Sequence, residues 1–447
     1  MRGTAGRAAG AHLPREPGQA DLRGEGDPGG GARARAGRPR PLTAPRVLFL
    51  TESFHPVLGG GEAHIRALGR DLVRTGMPAL VVTRRGEEAW PAEDAVDGVR
   101  VVRVPPSGPG RTGKYRMVPG ALAALHRLRG AYDVLVVRGT RVLGVPGLMA
   151  ARAAGKRVVM QPEVNGELSG EVYTWGQPLA GTLADRAIRA ATRARNLLLR
   201  DADAFVAMSR RIREEFLAAG IPPEKAVLLP HGVDTERFHP ASPEQRRSAR
   251  ARFALPADAL VIAYTGRLLR GKGLEDLLAA FARIAPEMPA AHLLVVGSGA
   301  GQSLSIEDAL RAAVTRAGLD ARVTFTGRLD DVADALRAAD VFAFPSLFEG
   351  LGISLVEAAA AGLPAVGART GGIVDVIEDG ASGLLFTPGD VGDLAAQLRA
   401  LAHDGDARAR MGARARQVAL ARFDQRSALS AYRALLSEVA RRGRPAG

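Results

Sequence analysis

Short apolar runs alternate with longer amphipathic stretches along the first half of the chain, beginning at Arg46. The apolar runs are four to six residues long, which suits buried strands, and the stretches between most of them favour helices. The predicted strands lie at residues 47–51, 79–83, 99–104, 133–137, 157–161, 204–207 and 226–229. This alternation predicts a parallel sheet covered by helices.

The same pattern begins again after a polar stretch that contains proline. This stretch follows Asp234 and extends to about Pro243, which is typical of a linker. The later predicted strands lie at residues 260–264, 292–296, 322–325, 341–344, 365–366 and 383–386. The two series predict an α/β protein with two doubly wound, Rossmann-like lobes. The cleft between their facing strand ends is the default ligand site.

Four segments are expected along the 447 residues: a tail at 1–44, an N-terminal lobe at 45–236, a C-terminal lobe at 237–420 and a C-terminal helix at 421–447. Two lobes suit this length because single cores rarely grow past roughly 250 to 300 residues. The tail is mostly Gly, Ala, Arg and Pro. It cannot bury enough apolar surface to offset chain entropy, so we expect it to be disordered.

Composition limits the classes of protein that this chain can belong to. The chain has no cysteine, which excludes disulfides, thiolate metal sites and a cysteine nucleophile and fits a reducing compartment. No apolar run reaches the roughly 18 residues needed to span a bilayer, and the N-terminus lacks the apolar segment of a secretion signal. We therefore expect a soluble, cytoplasmic protein.

The formal net charge is +14, and the basic excess lies mainly in the tail and the first lobe. Nucleic acid is not expected as a partner, because aromatic residues make up only 4% of the chain and no recognition motif is present. A phosphorylated substrate or an anionic membrane surface explains the excess equally well. Peripheral contact with the inner face of a membrane therefore stays open.

Two carboxylates, Glu349 and Glu357, lie eight residues apart around a glycine-containing turn that leads into a helix. The apolar run at 341–344 precedes them, so the turn lies at the carboxyl end of a strand, where parallel sheets bind ligands. Backbone N–H groups at the start of the helix favour an anion such as a diphosphate, and the two carboxylates can hold hydroxyl groups. The stretch therefore predicts a sugar-nucleotide site. The donor-binding residues predicted here are Glu349, Gly350, Gly352, Ile353, Ser354 and Glu357.

Two further loops follow predicted strands and precede helices. The loop from Gly266 to Gly273 places Arg267 and Lys272 where they can stabilise charge on a departing nucleoside diphosphate without a metal ion. The glycines Gly59 and Gly60 permit close approach of the first-lobe backbone to a phosphate. The alternatives are a basic surface loop and a flexible turn.

Other motifs favour different chemistry only weakly. The turn from Gly297 to Gln302 joins a strand to a helix, but a third glycine is missing and the turn does not follow the first strand of its lobe, which argues against a nicotinamide enzyme. Asp201 with Asp203, and Asp404 with Asp406, are better explained as solvated caps than as metal ligands. No metal site is predicted.

Together these residues resemble the retaining glycosyltransferases of family 4, which have the two-lobed GT-B fold. The resemblance extends from about Arg46 to Arg422 and rests on the Glu349 to Glu357 spacing, on Arg267 with Lys272, and on the Gly59 loop. The stretch at 229–234 resembles the family's interlobe motif, with His231 where asparagine is usual.

The resemblance implies a retaining hexosyltransferase with a UDP- or GDP-sugar as donor and no metal cofactor. By resemblance, Glu349 contacts the donor sugar, Glu357 the ribose, and Arg267 with Lys272 the diphosphate. The final helix would cross back to the first lobe. The acceptor is not identified, and both a lipid-linked glycan and a small molecule remain open. The loop at 169–177 and the basic helix with Arg195 are either the acceptor side or ordinary surface.

One position departs from the family. Many members carry a histidine at the end of the strand that here lies at 157–161, and this chain has none there. Glu163 and Asn165 are the nearest polar residues, so Glu163 joins Arg267, Lys272 and Glu349 as a predicted catalytic residue. The alternative is that Glu163 pairs with Arg138 or Lys156 and that Asn165 caps the following turn.

Two other functions stay open at this point. One is a protein that binds sugar nucleotides as a regulator and has lost catalysis, which the joint presence of Arg267, Lys272, Glu349 and Glu357 argues against. The other is a different enzyme of the same fold, such as a phosphorylase or an epimerase. Release of sugar phosphate without any nucleotide would reveal a phosphorylase.

Overall fold

A computed structural model describes residues 44–57, 59–108, 112–174, 181–302 and 304–442. The tail predicted at 1–44 lies outside the described residues, apart from Ala44. The described residues contain two separate sheets, one in each half of the chain. The fold class predicted from the apolar pattern, α/β with two parallel-sheet lobes, is confirmed.

The first sheet has eight strands in the order β3-β4-β2-β1-β5-β6-β7-β8. They are β1 (Val47–Leu50), β2 (Ala79–Arg84), β3 (Glu93–Val96), β4 (Val99–Val104), β5 (Val134–Arg138), β6 (Arg157–Gln161), β7 (Ala204–Ala207) and β8 (Ala226–Leu228). Every pairing is parallel except β3 with β4. The helices of this half are α1 (Gly60–Arg74), α2 (Gly113–Arg116), α3 (Val118–Arg127), α4 (Gly144–Ala153), α5 (Glu171–Thr174), α6 (Leu183–Leu199) and α7 (Arg210–Ala218).

The second sheet has six parallel strands in the order β11-β10-β9-β12-β13-β14. They are β9 (Leu260–Thr265), β10 (Ala291–Val296), β11 (Val323–Gly327), β12 (Val341–Phe344), β13 (Ala365–Ala368) and β14 (Gly383–Phe386). The helices are α8 (Pro243–Arg252), α9 (Leu274–Ile284), α10 (Glu307–Arg316), α11 (Ala333–Ala338), α12 (Ile353–Ala360), α13 (Ile373–Val376), α14 (Val391–His403), α15 (Gly405–Arg422) and α16 (Gln425–Arg441).

Strand β3 was missed by the apolar pattern. Its sequence is Glu-Asp-Ala-Val, and three of its four residues are exposed because it lies at the edge of the sheet. It pairs antiparallel with β4 through a hairpin whose turn residues, Asp97 and Gly98, both have positive φ. An Asp-Gly pair is a strong hairpin signal, so the turn rather than the strand could have revealed β3.

Helices cover both faces of the first sheet, since side chains alternate along each strand. Val47 and Phe49 of β1 pack in the same core as Ile65 of α1. Their neighbours Leu48 and Leu50 belong to the core on the other face, with α3 and α4. The first face also holds residues from the end of the chain, because α16 lies against α1, β5 and β6.

The chain passes between the two halves twice, and the two passages lie side by side. Val233 donates its N–H to the carbonyl oxygen of Phe423 at 2.8 Å, and Gln425 donates back to Val233 at 3.0 Å. Thr235 Oγ1 adds a bond to Asp424 Oδ1 at 2.8 Å. The two passages are therefore joined by a single parallel β-bridge, between Val233 and Asp424, and by this side-chain bond. The exact domain boundaries proposed at residues 236 and 420 remain predictions.

Candidate functional site

The loops at the carboxyl ends of the two sheets touch each other. A Cβ atom placed on Gly350 would lie 2.8 Å from the carbonyl oxygen of Glu163, so only glycine permits this close approach of the two backbones. A Cβ atom on Gly60 would lie 2.9 Å from the Ile353 side chain. The predicted first-lobe glycine loop and the turn between Glu349 and Glu357 are thus neighbours in space.

An ion pair lies at the carboxyl edge of the second sheet. Lys272 Nζ, in the loop after β9, donates to Glu349 Oε2, in the loop after β12, at 2.7 Å. These strands are adjacent, which is why residues 77 positions apart meet. Ser346 Oγ also donates to Glu349 Oε2, at 3.3 Å. The carboxylate is therefore held in one orientation, and Lys272 keeps two further N–H donors for another anion.

Arg267 is the second cation of this loop, and its side chain is exposed. No ion pair or side-chain hydrogen bond within the described part of the chain engages its guanidinium. Its backbone is fixed, since Tyr264 Oη donates to the Arg267 carbonyl oxygen at 3.2 Å and Gly266 packs against Gly297. The glycines that suggested a dinucleotide turn thus support the backbone beside Arg267. An unpaired guanidinium on a fixed backbone is ready to meet a phosphate.

Helix α12 begins directly after this ion pair. The residue just before the helix, Gly352, has φ +89°, a left-handed conformation that favours glycine. No side chain caps the N-terminus of the helix. The N–H groups of Ile353 and Ser354 therefore stand at an open helix start, which carries partial positive charge. This end of α12 can accept an anion beside Lys272.

Glu357 lies one turn further along α12 than Ile353 and is half-buried. No described residue forms an ion pair or hydrogen bond with its carboxylate. Burial raises its pKa to about 7; the charge of Arg237 opposes this shift and that of Asp331 adds to it. Arg237 itself is paired with Asp331 at 2.8 Å, so it is only partly available to Glu357. A desolvated carboxylate without a partner is suited to accept hydrogen bonds from ligand hydroxyl groups.

Glu163 faces the same region from the end of β6. Its carboxylate lies 3.8 Å from Arg138 and is about one-third exposed. Burial is the largest cause that raises the pKa of Glu163 to about 7; Arg138 opposes the shift, and Glu167, Glu52 and Glu62 add to it. The Arg138 pairing considered from the sequence is therefore present but loose. Despite this pairing, Glu163 therefore titrates near neutral pH.

Two buried carboxylates fix the loop that carries Glu163, and neither was singled out from the sequence. Glu167 Oε1 accepts the N–H of Glu163 at 2.9 Å, and its Oε2 accepts the N–H and Oγ1 of Thr140 at 2.8 Å. Glu215 Oε1, from α7, accepts the N–H of Gly166 at 2.7 Å. These bonds link the ends of β5 and β6 to α7. A buried glutamate in the sequence does not reveal such backbone partners, which explains why both were missed.

Asn165 joins the two lobes. Its Nδ2 donates to the carbonyl oxygen of Glu349 at 2.7 Å, and its Oδ1 is buried without a partner among the described residues. The suggestion that Asn165 caps the turn after it is wrong, because its amide is used across the cleft. Asn165 therefore helps to set the position of the donor-side loop that carries Glu349.

The sequence is similar to known families and proteins. The family described as Glycosyl transferases group 1 matches residues 245–418, and the family described as Glycosyltransferase Family 4 matches residues 58–237. A GDP-mannose-dependent alpha-(1-6)-phosphatidylinositol monomannoside mannosyltransferase of Mycolicibacterium smegmatis is 30% identical over 88% of this chain and 98% of its own length. The chain belongs to glycosyltransferase family 4.

A second relative and the solved structures agree with this assignment. D-inositol 3-phosphate glycosyltransferase 1 of Catenulispora acidiphila is 31% identical over 77% of this chain and 84% of its own length. Sucrose-phosphate synthase of Thermosynechococcus elongatus superposes with a TM-score of 0.76 at 24% identity, covering 88% of this chain and 100% of that chain. HepE of Anabaena superposes with a TM-score of 0.71, also at 24% identity, over 88% and 100%. The GT-B fold predicted for this glycosyltransferase is confirmed.

His231, the residue that departs from the interlobe motif, is buried in this family 4 glycosyltransferase. Its ring stacks on His64 of α1, with centroids 3.7 Å apart, and lies 3.0 Å from Gln161 Nε2 at the end of β6. Gln161 also donates to Tyr432 Oη of α16 at 2.8 Å. Burial lowers the pKa of both histidines, that of His64 to about 3, so both rings are neutral. His231, in the first passage between the two halves, thus contacts α1 through His64 and is linked through Gln161 to Tyr432 of α16.

The predicted site residues thus lie in two groups on facing loops of the glycosyltransferase. The second-lobe group is Arg267, Lys272, Glu349, Gly350, Gly352, Ile353, Ser354 and Glu357. The first-lobe group is Gly59, Gly60 and Glu163. Contacts of Gly350 with Glu163 and of Gly60 with Ile353 bring the groups together. Their roles stay predictions. Part of the loop predicted on the acceptor side, residues 175–177 with Trp175, lies outside the described residues.

Proposed function

We propose that the protein transfers a hexose from a UDP- or GDP-sugar to an acceptor and retains the anomeric configuration. The observation that carries the proposal is the Lys272–Glu349 ion pair beside the uncapped start of α12. The cation and the amides suit a diphosphate, and the carboxylate suits a sugar hydroxyl. The name of the M. smegmatis relative, which is GDP-mannose-dependent, supports a nucleotide-sugar donor.

Departure of the nucleoside diphosphate concentrates negative charge on its terminal phosphate. Lys272 keeps two unused N–H donors, and Arg267 is unpaired among the described residues, so both can strengthen their bonds as this charge develops. The N–H groups of Ile353 and Ser354 add partial charge from the same side. We propose that these groups replace a metal ion, so that no metal cofactor is needed.

Retention follows if the acceptor attacks from the face that the diphosphate leaves. A phosphate oxygen of the leaving group then takes the acceptor's proton, the bond from the anomeric carbon to phosphate oxygen breaks, and the bond to the acceptor oxygen forms. The ring carries positive charge in the transition state. Glu163, whose loop touches Gly350, is the first-lobe carboxylate that we propose to stabilise this charge.

Donor binding tests this function. Purified protein should bind UDP or GDP in the presence of EDTA, as measured by isothermal titration calorimetry. Glu357→Gln should weaken the binding of free UDP or GDP, because Glu357 is the carboxylate expected at the ribose. Glu349→Gln should lower turnover more than nucleotide affinity, because it is expected at the sugar.

Three results would count against this arrangement. Binding that disappears in EDTA and returns with magnesium or manganese would place the charge-neutralising role on a metal. Equal effects of the two carboxylate changes on nucleotide affinity would refute the division of roles. Nucleotide-sugar binding without any transfer or hydrolysis would favour the alternative, a regulatory protein that has lost catalysis.

We also propose that the outer helices of the first lobe contact an anionic membrane. No helix among the described residues is long and apolar enough to cross a bilayer. The exposed large apolar residues of α2, α3, α4 and α6 are Tyr115, Leu122, Met149, Leu183, Leu197 and Leu198. The same four helices carry eight Lys or Arg residues and one acid, Asp185, which pairs with Arg189. Apolar side chains among cations suit binding at an anionic lipid surface.

Vesicle sedimentation tests the membrane proposal. The protein should sediment with vesicles that contain phosphatidylserine, less so at high salt, and not with pure phosphatidylcholine. Arg186→Glu combined with Leu197→Glu should reduce this binding and leave nucleotide affinity unchanged. Equal sedimentation of the variant would show that another surface is responsible.

A further inference from the structure

The carboxyl edge of the first sheet gathers cations from neighbouring loops. Strands β2, β1 and β5 are adjacent, so the residues that follow them emerge at one edge. Arg84 ends β2, Glu52 follows β1, and Arg141 follows β5. Lys114 reaches the same edge from α2. All four side chains are half-buried rather than fully exposed.

Arg84 and Lys114 are brought together at the start of α2. The Arg84 guanidinium packs directly against Gly113, where any side chain would collide with it. Its Nη1 donates to the carbonyl oxygen of Gly108 at 2.8 Å, and Lys114 Nζ lies 5.3 Å from the centroid of the Tyr115 ring. Neither cation forms an ion pair with any residue that the structure describes.

Arg141 is the least satisfied of these cations. It directly follows Thr140, whose N–H and Oγ1 are held by Glu167. Within the described ranges Arg141 has no ion pair, and its Nε is buried without a hydrogen-bond partner. Arg195 lies close by, because it donates to the carbonyl oxygen of Glu167 and to Tyr173 Oη, the latter at 3.2 Å. A buried donor without a partner is costly unless a ligand satisfies it.

The charges here do not balance. The charges of Arg84, Lys114 and Arg141 act on Glu52, and those of Arg141 and Glu167 act on Arg195. The neighbouring carboxylate, Glu163, is opposed by a further cation, Arg138. Both oxygens of Glu167 are already used by backbone and hydroxyl donors. Burial raises the pKa of Glu52, and the charges of Lys114, Arg141 and Arg84 oppose the shift, so these cations act on the same carboxylate. Positive charge is therefore left over among half-buried side chains at this edge of the sheet.

We propose that Arg84, Lys114, Arg141 and Arg195, together the acceptor-side cation cluster, bind a phosphate group carried by the acceptor. Arginine forks and a lysine ammonium suit phosphate oxygens, and a phosphate supplies the missing negative charge. The inference rests on the proposed transfer reaction and adds the chemical class of acceptor: a hydroxyl compound that bears a phosphomonoester or phosphodiester. The phosphate could belong to a soluble polyol phosphate or to a phospholipid headgroup.

This cluster is separate from the groups assigned to the donor. Lys272 and Arg267 belong to loops of the second sheet, whereas the four cations belong to the first half of the chain. Glu163 lies between the four cations and the donor-side loops. Its N–H is bound to Glu167 on the first-lobe side, and its carbonyl oxygen touches Gly350 on the donor side. An acceptor held by its phosphate would therefore present a hydroxyl group toward the donor sugar.

Titration of inorganic phosphate into the full-length protein tests the cluster without any donor. Arg141→Gln should weaken phosphate binding about tenfold, the effect of one lost charge-assisted contact. Arg141→Lys should retain most of it, because the charge remains. Arg70→Gln is the matched control, since Arg70 is an exposed arginine of α1 on the opposite face of the sheet. UDP and GDP affinity should be the same in all of these variants.

Transfer assays then separate the two sources of phosphate. If the acceptor is soluble, Arg141→Gln should raise KM for inositol phosphate or glycerol 3-phosphate about tenfold at unchanged KM for the donor. If it is a headgroup, the defect should appear with vesicles of phosphatidylcholine and phosphatidylinositol instead. Wild-type phosphate affinity in Arg141→Gln, or equal use of unphosphorylated polyols, would overturn the inference. Failure of the proposed function would show separately, as loss of nucleotide binding by the wild type.

Discussion

Lys272→Ala should weaken the binding of UDP or GDP by about 1.5 to 3 kcal/mol, which is roughly 10- to 150-fold. Lys272 is the only cation bound to Glu349 in the described structure, and the uncapped start of α12 follows directly. The change removes a phosphate contact and also frees the Glu349 carboxylate, whose negative charge would then repel the diphosphate. Isothermal titration calorimetry in EDTA measures the loss.

Arg316→Ala is the control for this variant. Arg316 is an exposed arginine at the end of α10, which leads into β11 and so lies at the opposite edge of the sheet from the ligand loops. Like Lys272→Ala, the Arg316→Ala variant removes one positive charge from the second lobe. Its affinity for UDP or GDP should equal that of the wild type. If both variants lost affinity equally, the effect would come from overall charge rather than from the site, and the assignment of Lys272 would be wrong.

Glu163→Gln should fold normally and bind nucleotide normally, yet transfer sugar at least about tenfold more slowly, which corresponds to about 1.4 kcal/mol in the barrier. The proposed role requires the charged form, and burial raises the pKa of Glu163 to about 7. Turnover at saturating donor should therefore be low below pH 7, rise as the carboxylate ionises, and level off above. The variant should lack this rise, because glutamine does not titrate.

Glu214→Gln provides the comparison, since Glu214 is an exposed carboxylate of α7 in the same lobe. It should retain both the rate and the pH profile of the wild type. A Glu163→Gln variant with unchanged transfer rate and donor hydrolysis would show that Glu163 only pairs with Arg138. A pH rise that persists in the variant would assign the titration to another group, with Glu357 the first to test because its pKa is also about 7.

The sequence predicted the two lobes and thirteen of the fourteen described strands. These predictions succeed because the apolar runs that mark buried strands are local. Lys272 and Glu349 lie 77 residues apart, yet their meeting was predictable, since both follow strands that a parallel sheet places side by side.

The rest of the candidate site depends on contacts that no local pattern encodes. Glu167 resembles any other glutamate in the sequence, but it holds the backbone of Glu163 and of Thr140 together. Asn165 bonds to a carbonyl oxygen 184 residues away. Its partner is a backbone atom, which carries no side-chain signature. Unpaired cations such as Arg141 become visible only when the absence of nearby acids can be checked in space.

The packing of α16 on the first half of the chain has a consequence for how the protein is made. Leu429, Leu436 and Val439 complete a core that otherwise consists of residues 47–229. A ribosome releases the chain from its N-terminus, so that core stays open on one face until α16 has been synthesised. Expression of residues 44–237 alone would leave the same face uncovered, and such a fragment should aggregate unless the α16 peptide is supplied with it.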